Sequence, residues 1–77
     1  MDRVAEVFAS TLKIERSLIS DDTAPDNTPQ WDSLAAMDLA LAIQDEFGVK
    51  LATRDILAMR SVGLVKKVLL SKGIDDV

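Results

Sequence analysis

Two prolines constrain this chain more than any other feature. Pro25 and Pro29 fall within the stretch from Ser17 to Asp32, which is rich in Ser, Asp, Thr and Asn. Each proline fixes φ and lacks an N–H, so no regular helix runs through the stretch. A helical chain must therefore break here into one helix before and the rest after. A connection of this length in a small domain is often functional.

On either side the apolar residues recur at helical spacing. Val4, Val7, Phe8 and Leu12 form one stripe after an acidic start, which predicts a first helix from about Asp2 to Glu15. A second helix should begin near Asp32 or Ser33, both good N-caps, and run to Phe47, where Gly48 supplies a stop. Val49 to Ala52 reads as an extended connector. Thr53 can cap a brief third helix to about Met59, with Asp55 in its first turn where the dipole favours an anion. Ser61 can cap a fourth, with Val62, Val65, Val68 and Leu69 as its buried stripe, Lys66, Lys67 and Lys72 toward its C-terminal end, and Gly73 ending it. The expected fold is all-α, a small four-helix bundle of three longer helices and one short third helix, with a long first loop. Residues 1–77 read as a single domain.

Composition narrows the chemistry. A chain of 77 residues buries about 60% of the surface its unfolded form exposes, and with no cysteine there is no disulfide to add stability. With neither Cys nor His, thiol chemistry, thiolate or imidazole metal ligation and an imidazole base are excluded for the polypeptide itself. An autonomous enzyme would have to work with carboxylates. Asp38 and Asp45 are too far apart on one helix, about 10 Å along its axis, so no enzyme is expected. Calcium binding by the aspartate-rich loop fails on spacing. Counting an EF-hand loop from Asp21 puts Asp26 where glycine is needed, and counting from Asp22 puts Ser33 at the bidentate acid. No metal site is expected. The longest charge-free runs are six residues, against the ~20 that span a bilayer, and the amino terminus lacks a secretory signal, so the expected location is cytoplasmic without membrane insertion.

Charge is segregated along the chain. Residues 1–16 carry three acids and three bases, and residues 50–77 carry six bases and three acids. Between them, from Ser17 to Val49, lie seven acids and no base: Asp21, Asp22, Asp26, Asp32, Asp38, Asp45 and Glu46. That sign repels nucleic acid and suits a basic protein partner, although a solvated acidic loop and helix would look the same.

The second helix is apolar on two sides. Ala36, Leu39, Ala40, Ile43 and Phe47 cluster on one face; Leu34, Met37 and Leu41 lie on the other beside Asp38 and Asp45. A bundle of this size buries one broad stripe per helix, so the acid-free face is the core candidate. The mixed face has the composition of a docking surface, unless the long loop or the third helix covers it.

Ser33 stands where the acidic loop enters this helix, between Trp31-Asp32 and Leu34. A serine at such a place is ordinarily an N-cap. As a nucleophile it would need a base from another protein, since this chain has no histidine. Trp31-Asp32-Ser33-Leu34, followed by Met37, Leu39, Ile43, Asp45-Glu46-Phe47-Gly48-Val49 and Ser61-Val62-Gly63, resembles the acyl carrier protein family across essentially the whole chain. The resemblance implies a monomer that carries acyl or related intermediates as thioesters on a 4′-phosphopantetheine arm. The arm comes from coenzyme A and is attached at Ser33 by a phosphopantetheinyl transferase. It further implies that Leu34, Met37, Asp38, Leu41 and Asp45 form the recognition face for acyl-loading, acyl-transferring or condensing enzymes with basic docking patches. Asp32 would contact the transferase or hold the loop. The family's acyl pocket lies between helices two and three, where Ala36 and Ala40 could leave room or allow closer packing. Trp31, where fatty-acid-synthesis members commonly have a small residue, with Ala35 and Gln44 at positions often acidic there, makes the chain look more like free-standing carriers of specialised pathways. The competing reading is an unmodified helical interaction module that binds through Leu34, Met37 and Leu41, with Ser33 serving only as a cap.

Overall fold

A computed structural model describes residues 2–77. It contains four helices and no strand among the described residues: α1 (Arg3–Leu12), α2 (Ser33–Phe47), α3 (Thr53–Ala58) and α4 (Val62–Ser71). Each start has a chemical cause. The carboxylates of Asp2 and Asp32 accept the N–H groups of Ala5 and Ala35 at 2.9 and 2.8 Å, and the Ser61 hydroxyl accepts that of Leu64 at 3.1 Å. At α3 the expected cap, Thr53, is instead the first helical residue. Ala52 precedes it, and its N–H is taken by the Asp55 carboxylate at 2.8 Å, so an acid inside the first turn replaces a side chain before it.

The stops divide into marked and unmarked. Gly48 ends α2 and Gly73 follows α4, both at positive φ, where a missing Cβ removes the steric cost. α1 ends at Leu12, short of the Glu15 the spacing suggests, because Lys13 takes the left-handed conformation at φ 57°. That turn sends Ile14 and Ile19 back toward the core, and burying Ile19 and part of Ile14 offsets the cost of a left-handed non-glycine residue, roughly 1–2 kcal/mol.

α1 packs against both α2 and α4, and α3 sits against α4. Phe8, Leu39, Ile43, Val62, Val65 and Leu69 are fully buried at the centre, each large side chain contributing about 1.5–3 kcal/mol relative to exposure. On α1 it is Ala5, together with Val4, Phe8 and Leu12, that is buried, while Val7 is only half-buried. Val68, likewise, lies half-buried at the edge of the α4 stripe.

The long first connection is anchored to the bundle at a few buried residues. It contains two 3₁₀ turns, Arg16–Leu18 and Pro25–Asn27, and it buries Ile19, Thr23, Thr28 and Trp31. The carbonyls of Thr23 and Asp21 accept the N–H groups of Val62 and Gly63 at 2.9 and 3.0 Å, fastening the loop to the start of α4. Gly63 permits this approach, since a Cβ there would lie 3.3 Å from the Asp21 carbonyl oxygen. Lys66 completes the clamp, donating to Asp2 at 2.7 Å and to Asp21 at 2.6 Å.

Candidate functional site

The loop delivers Trp31 to the core and Ser33 to the surface two residues later. Trp31 lies edge-on to Phe8 with ring centroids 4.9 Å apart and is 5% exposed. Its burial fixes the height at which the chain enters α2. Asp32 then turns its carboxylate onto the Ala35 N–H and its carbonyl onto the Ala36 N–H. With Asp32 as the cap, Ser33 occupies the first helical position, exposed, and its hydroxyl makes no hydrogen bond among the described residues. Of the two cap candidates, Asp32 and Ser33, the structure uses Asp32, whose carboxylate takes the Ala35 N–H. The N–H groups of Ser33 and Leu34 have no intrahelical partner, as the first turn of a helix requires. A free hydroxyl beside two free donors at the positive end of a fifteen-residue helix suits attachment of a singly charged phosphodiester.

A hollow of about 480 Å³ opens beside Ser33. Its walls are apolar, from Trp31, Ala36, Ile56, Leu57 and Met59, with Asp32 and Arg60 as its charged members. Of the two alanines expected near such a space, Ala36 lines it, whereas Ala40 is 3% exposed and packs into the bundle. A second hollow of about 500 Å³ lies between α1 and α2 and includes Asp45, Arg3 and Glu6, but none of the residues around Ser33.

The mixed face of α2 is open. Leu34, Met37 and Leu41 are 71%, 65% and 64% exposed, so neither the loop nor α3 covers them. Asp38 and Asp45 share that face and are exposed, and no cation lies within 4 Å of either among the described residues. Together these five residues make a strip about 16 Å long running from the Ser33 end of the helix. Of the other five acids of the central segment, Asp21 pairs with Lys66, Glu46 pairs with Arg3 at 3.1 Å and Asp32 caps α2, while Asp22 and Asp26 have no cation within 4 Å among the described residues.

The shifted titrations lie outside the strip. Burial pushes the Asp2 carboxyl up, but hydrogen bonds from Lys66 and the Ala5 N–H, with the charges of Lys66 and Arg16, outweigh it and hold Asp2 below its ordinary value. Burial likewise works against charge on Lys66, yet Asp2 and Asp21 hold its ammonium above the ordinary value. Lys72, 2.9 Å away, and the Ala52 N–H hold Asp55 low. These shifts belong to ion pairs that tie elements together and mark no catalytic centre.

Sequence reasoning missed Arg60, Leu57 and the anchoring role of Trp31. Arg60 lies in the three-residue break between α3 and α4, and only its position just before the cap Ser61 could have drawn attention to it. Among the described residues no cluster of His, Cys, Asp or Glu could hold a metal ion, and no helix is long and apolar enough to cross a membrane.

Residues 2–69 match the family model described as phosphopantetheine attachment site. No curated protein matches the chain.

Proposed function

The chain belongs to the phosphopantetheine attachment site family, and from that membership we propose that it is a carrier protein modified at Ser33. The observation that carries the assignment is the division of labour at the start of α2. Asp32 takes the capping role and leaves the Ser33 hydroxyl exposed and unbonded at a helix N-terminus. In the modification Ser33 Oγ attacks the arm-bearing phosphorus of the coenzyme A pyrophosphate. The Oγ–P bond forms, the pyrophosphate P–O bond breaks, adenosine 3′,5′-bisphosphate leaves, and the hydroxyl proton goes to a base of the transferase, because this chain has no histidine to take it. The N–H groups of Ser33 and Leu34 are the donors for the resulting charge. The arm, once bound, supplies the thiol that the polypeptide lacks and holds cargo as a thioester. The protein itself is not an enzyme on this reading.

Leu34, Met37, Asp38, Leu41 and Asp45 form the docking face, for the transferase and for acyl-loading, transferring or condensing enzymes with basic patches. Apolar residues supply the contact area and the aspartates steer encounter. Asp32 acts by holding the loop end. The apolar hollow beside Ser33 suits an acyl or related cargo of a biosynthetic pathway.

The test is intact mass before and after incubation with coenzyme A, magnesium and a broad-specificity phosphopantetheinyl transferase. Wild type is expected to gain one phosphopantetheinyl group and Ser33→Ala none. An unmodified wild type that stays unloaded while a control carrier is loaded would overturn the assignment.

A further inference from the structure

Attaching an arm at Ser33 creates a charge problem that one residue is placed to solve. The phosphodiester adds a negative charge next to the Asp32 carboxylate, which already occupies the Ala35 N–H. Two anions then face a helix end worth about half a positive charge. The chain has nine bases, and four of them, Arg3, Arg16, Lys66 and Lys72, are engaged in ion pairs. Of the five without a carboxylate within 4 Å among the described residues, Arg60 lines the hollow that Ser33 also lines, and Lys13, Lys50, Arg54 and Lys67 do not.

Its backbone is held there. The Arg60 N–H donates to the Ala58 carbonyl at 2.9 Å, and the buried Met59 and Val62 fix the chain on either side. Arg60 and Asp32 share the hollow without an ion pair, so the guanidinium has donors to spend. A planar guanidinium matches phosphate oxygens two at a time.

Building on the assignment of Ser33, we infer that Arg60 is the counter-ion of the phosphodiester, a positioning residue that holds the base of the arm over the hollow. It sets the direction in which the arm leaves Ser33.

The test compares wild type, Arg60→Gln, Arg60→Lys and Arg54→Gln, each loaded as above and checked by mass. Arg54→Gln makes the same change of charge away from the hollow. The readouts are the ³¹P resonance of the phosphodiester and the change in the urea unfolding constant on loading. Arg60→Gln is expected to shift the resonance and to make loading less favourable to the folded state, by roughly two- to fivefold relative to wild type, as for an exposed ion pair. Arg60→Lys should recover part of both, and 1 M salt should move the wild-type resonance toward that of Arg60→Gln. A loaded Arg60→Gln indistinguishable from wild type, or matched by Arg54→Gln, would overturn the role of Arg60 and leave Ser33 intact. Failure of wild type to load would remove the premise instead.

Discussion

The acidic loop and the exposed face of α2 are neighbours in one stretch that has no basic residue, yet the structure uses them in opposite ways. In the loop several polar groups are spent internally, although the exposed Asp22 and Asp26 carboxylates have no cation within 4 Å among the described residues. Asp21 binds Lys66, Asn27 donates to the Asp22 carbonyl at 2.9 Å, and the Thr23 hydroxyl accepts the Ser20 N–H at 3.0 Å. On the α2 face Asp38 and Asp45 have no cation within 4 Å among the described residues, and the leucines and methionine between them are open to solvent. The lesson is that the sign of a segment does not tell structure from recognition. What separates Asp21 from Asp38 and Asp45 is a base from a distant part of the chain, Lys66, that folds back onto it.

The contrast is tested most severely by Trp31. Trp31→Ala removes the side chain that packs on Phe8 and is expected to cost about 3–5 kcal/mol, whereas Met37→Ala, equally apolar but exposed, should stay within about 0.5 kcal/mol of wild type. Urea unfolding midpoints measure both.

Next in size is the clamp. Lys66→Met breaks the bonds to Asp2 and Asp21 and should cost about 1–2 kcal/mol. The pH dependence follows from the directions of the shifts. Asp2 and Asp55 titrate below their ordinary value of 3.8, so their contribution is present above about pH 3.8 and is lost as pH falls through the lowered values. Lys66 titrates above its ordinary value of 10.5, so its contribution is whole below that and is lost as pH rises through the raised value. Wild type should lose stability at both extremes, and Lys66→Met should lack the alkaline loss.

The boundary between the two regions gives a smaller effect. Asp32→Ala should cost about 1 kcal/mol by removing the cap, while Ser33→Ala, whose hydroxyl bonds to nothing, should cost under about 0.5 kcal/mol. Equal losses would mean that the serine shares the capping.

Much of this arrangement was legible before the structure. Capping chemistry marked the starts of α2 and α4, glycine marked the ends of both, and the two-faced periodicity of α2 separated Leu39, Ala40, Ile43 and Phe47 from Leu34, Met37 and Leu41. The stop after Leu12 was not legible, because a lysine takes a conformation that usually announces itself as glycine. Nor was the start of α3, where the carboxylate reaches back from inside the helix. In sequence the loop reads as a plain connection because its partners, Val62, Gly63 and Lys66, lie about forty residues downstream; Lys66 and Asp21 are separated by 45 positions. A one-dimensional pattern carries no sign of such closures. For the same reason Trp31 read as a departure from relatives, when its role is to anchor the residue before the cap.

The most direct test of the central claim sets one acid from each region against the other, by the initial rate at which folded protein gains the phosphopantetheinyl mass across a salt series. Asp38→Lys should leave stability unchanged and slow loading about three- to tenfold at low salt, with the difference fading as the Debye length shrinks toward about 3 Å at 1 M. Asp21→Asn should lower stability and leave the loading rate of the folded protein as it is. Equal rates for Asp38→Lys and wild type at every salt concentration, or an Asp21→Asn protein slowed just as much, would contradict the division between a loop that holds the fold and a face that meets partners.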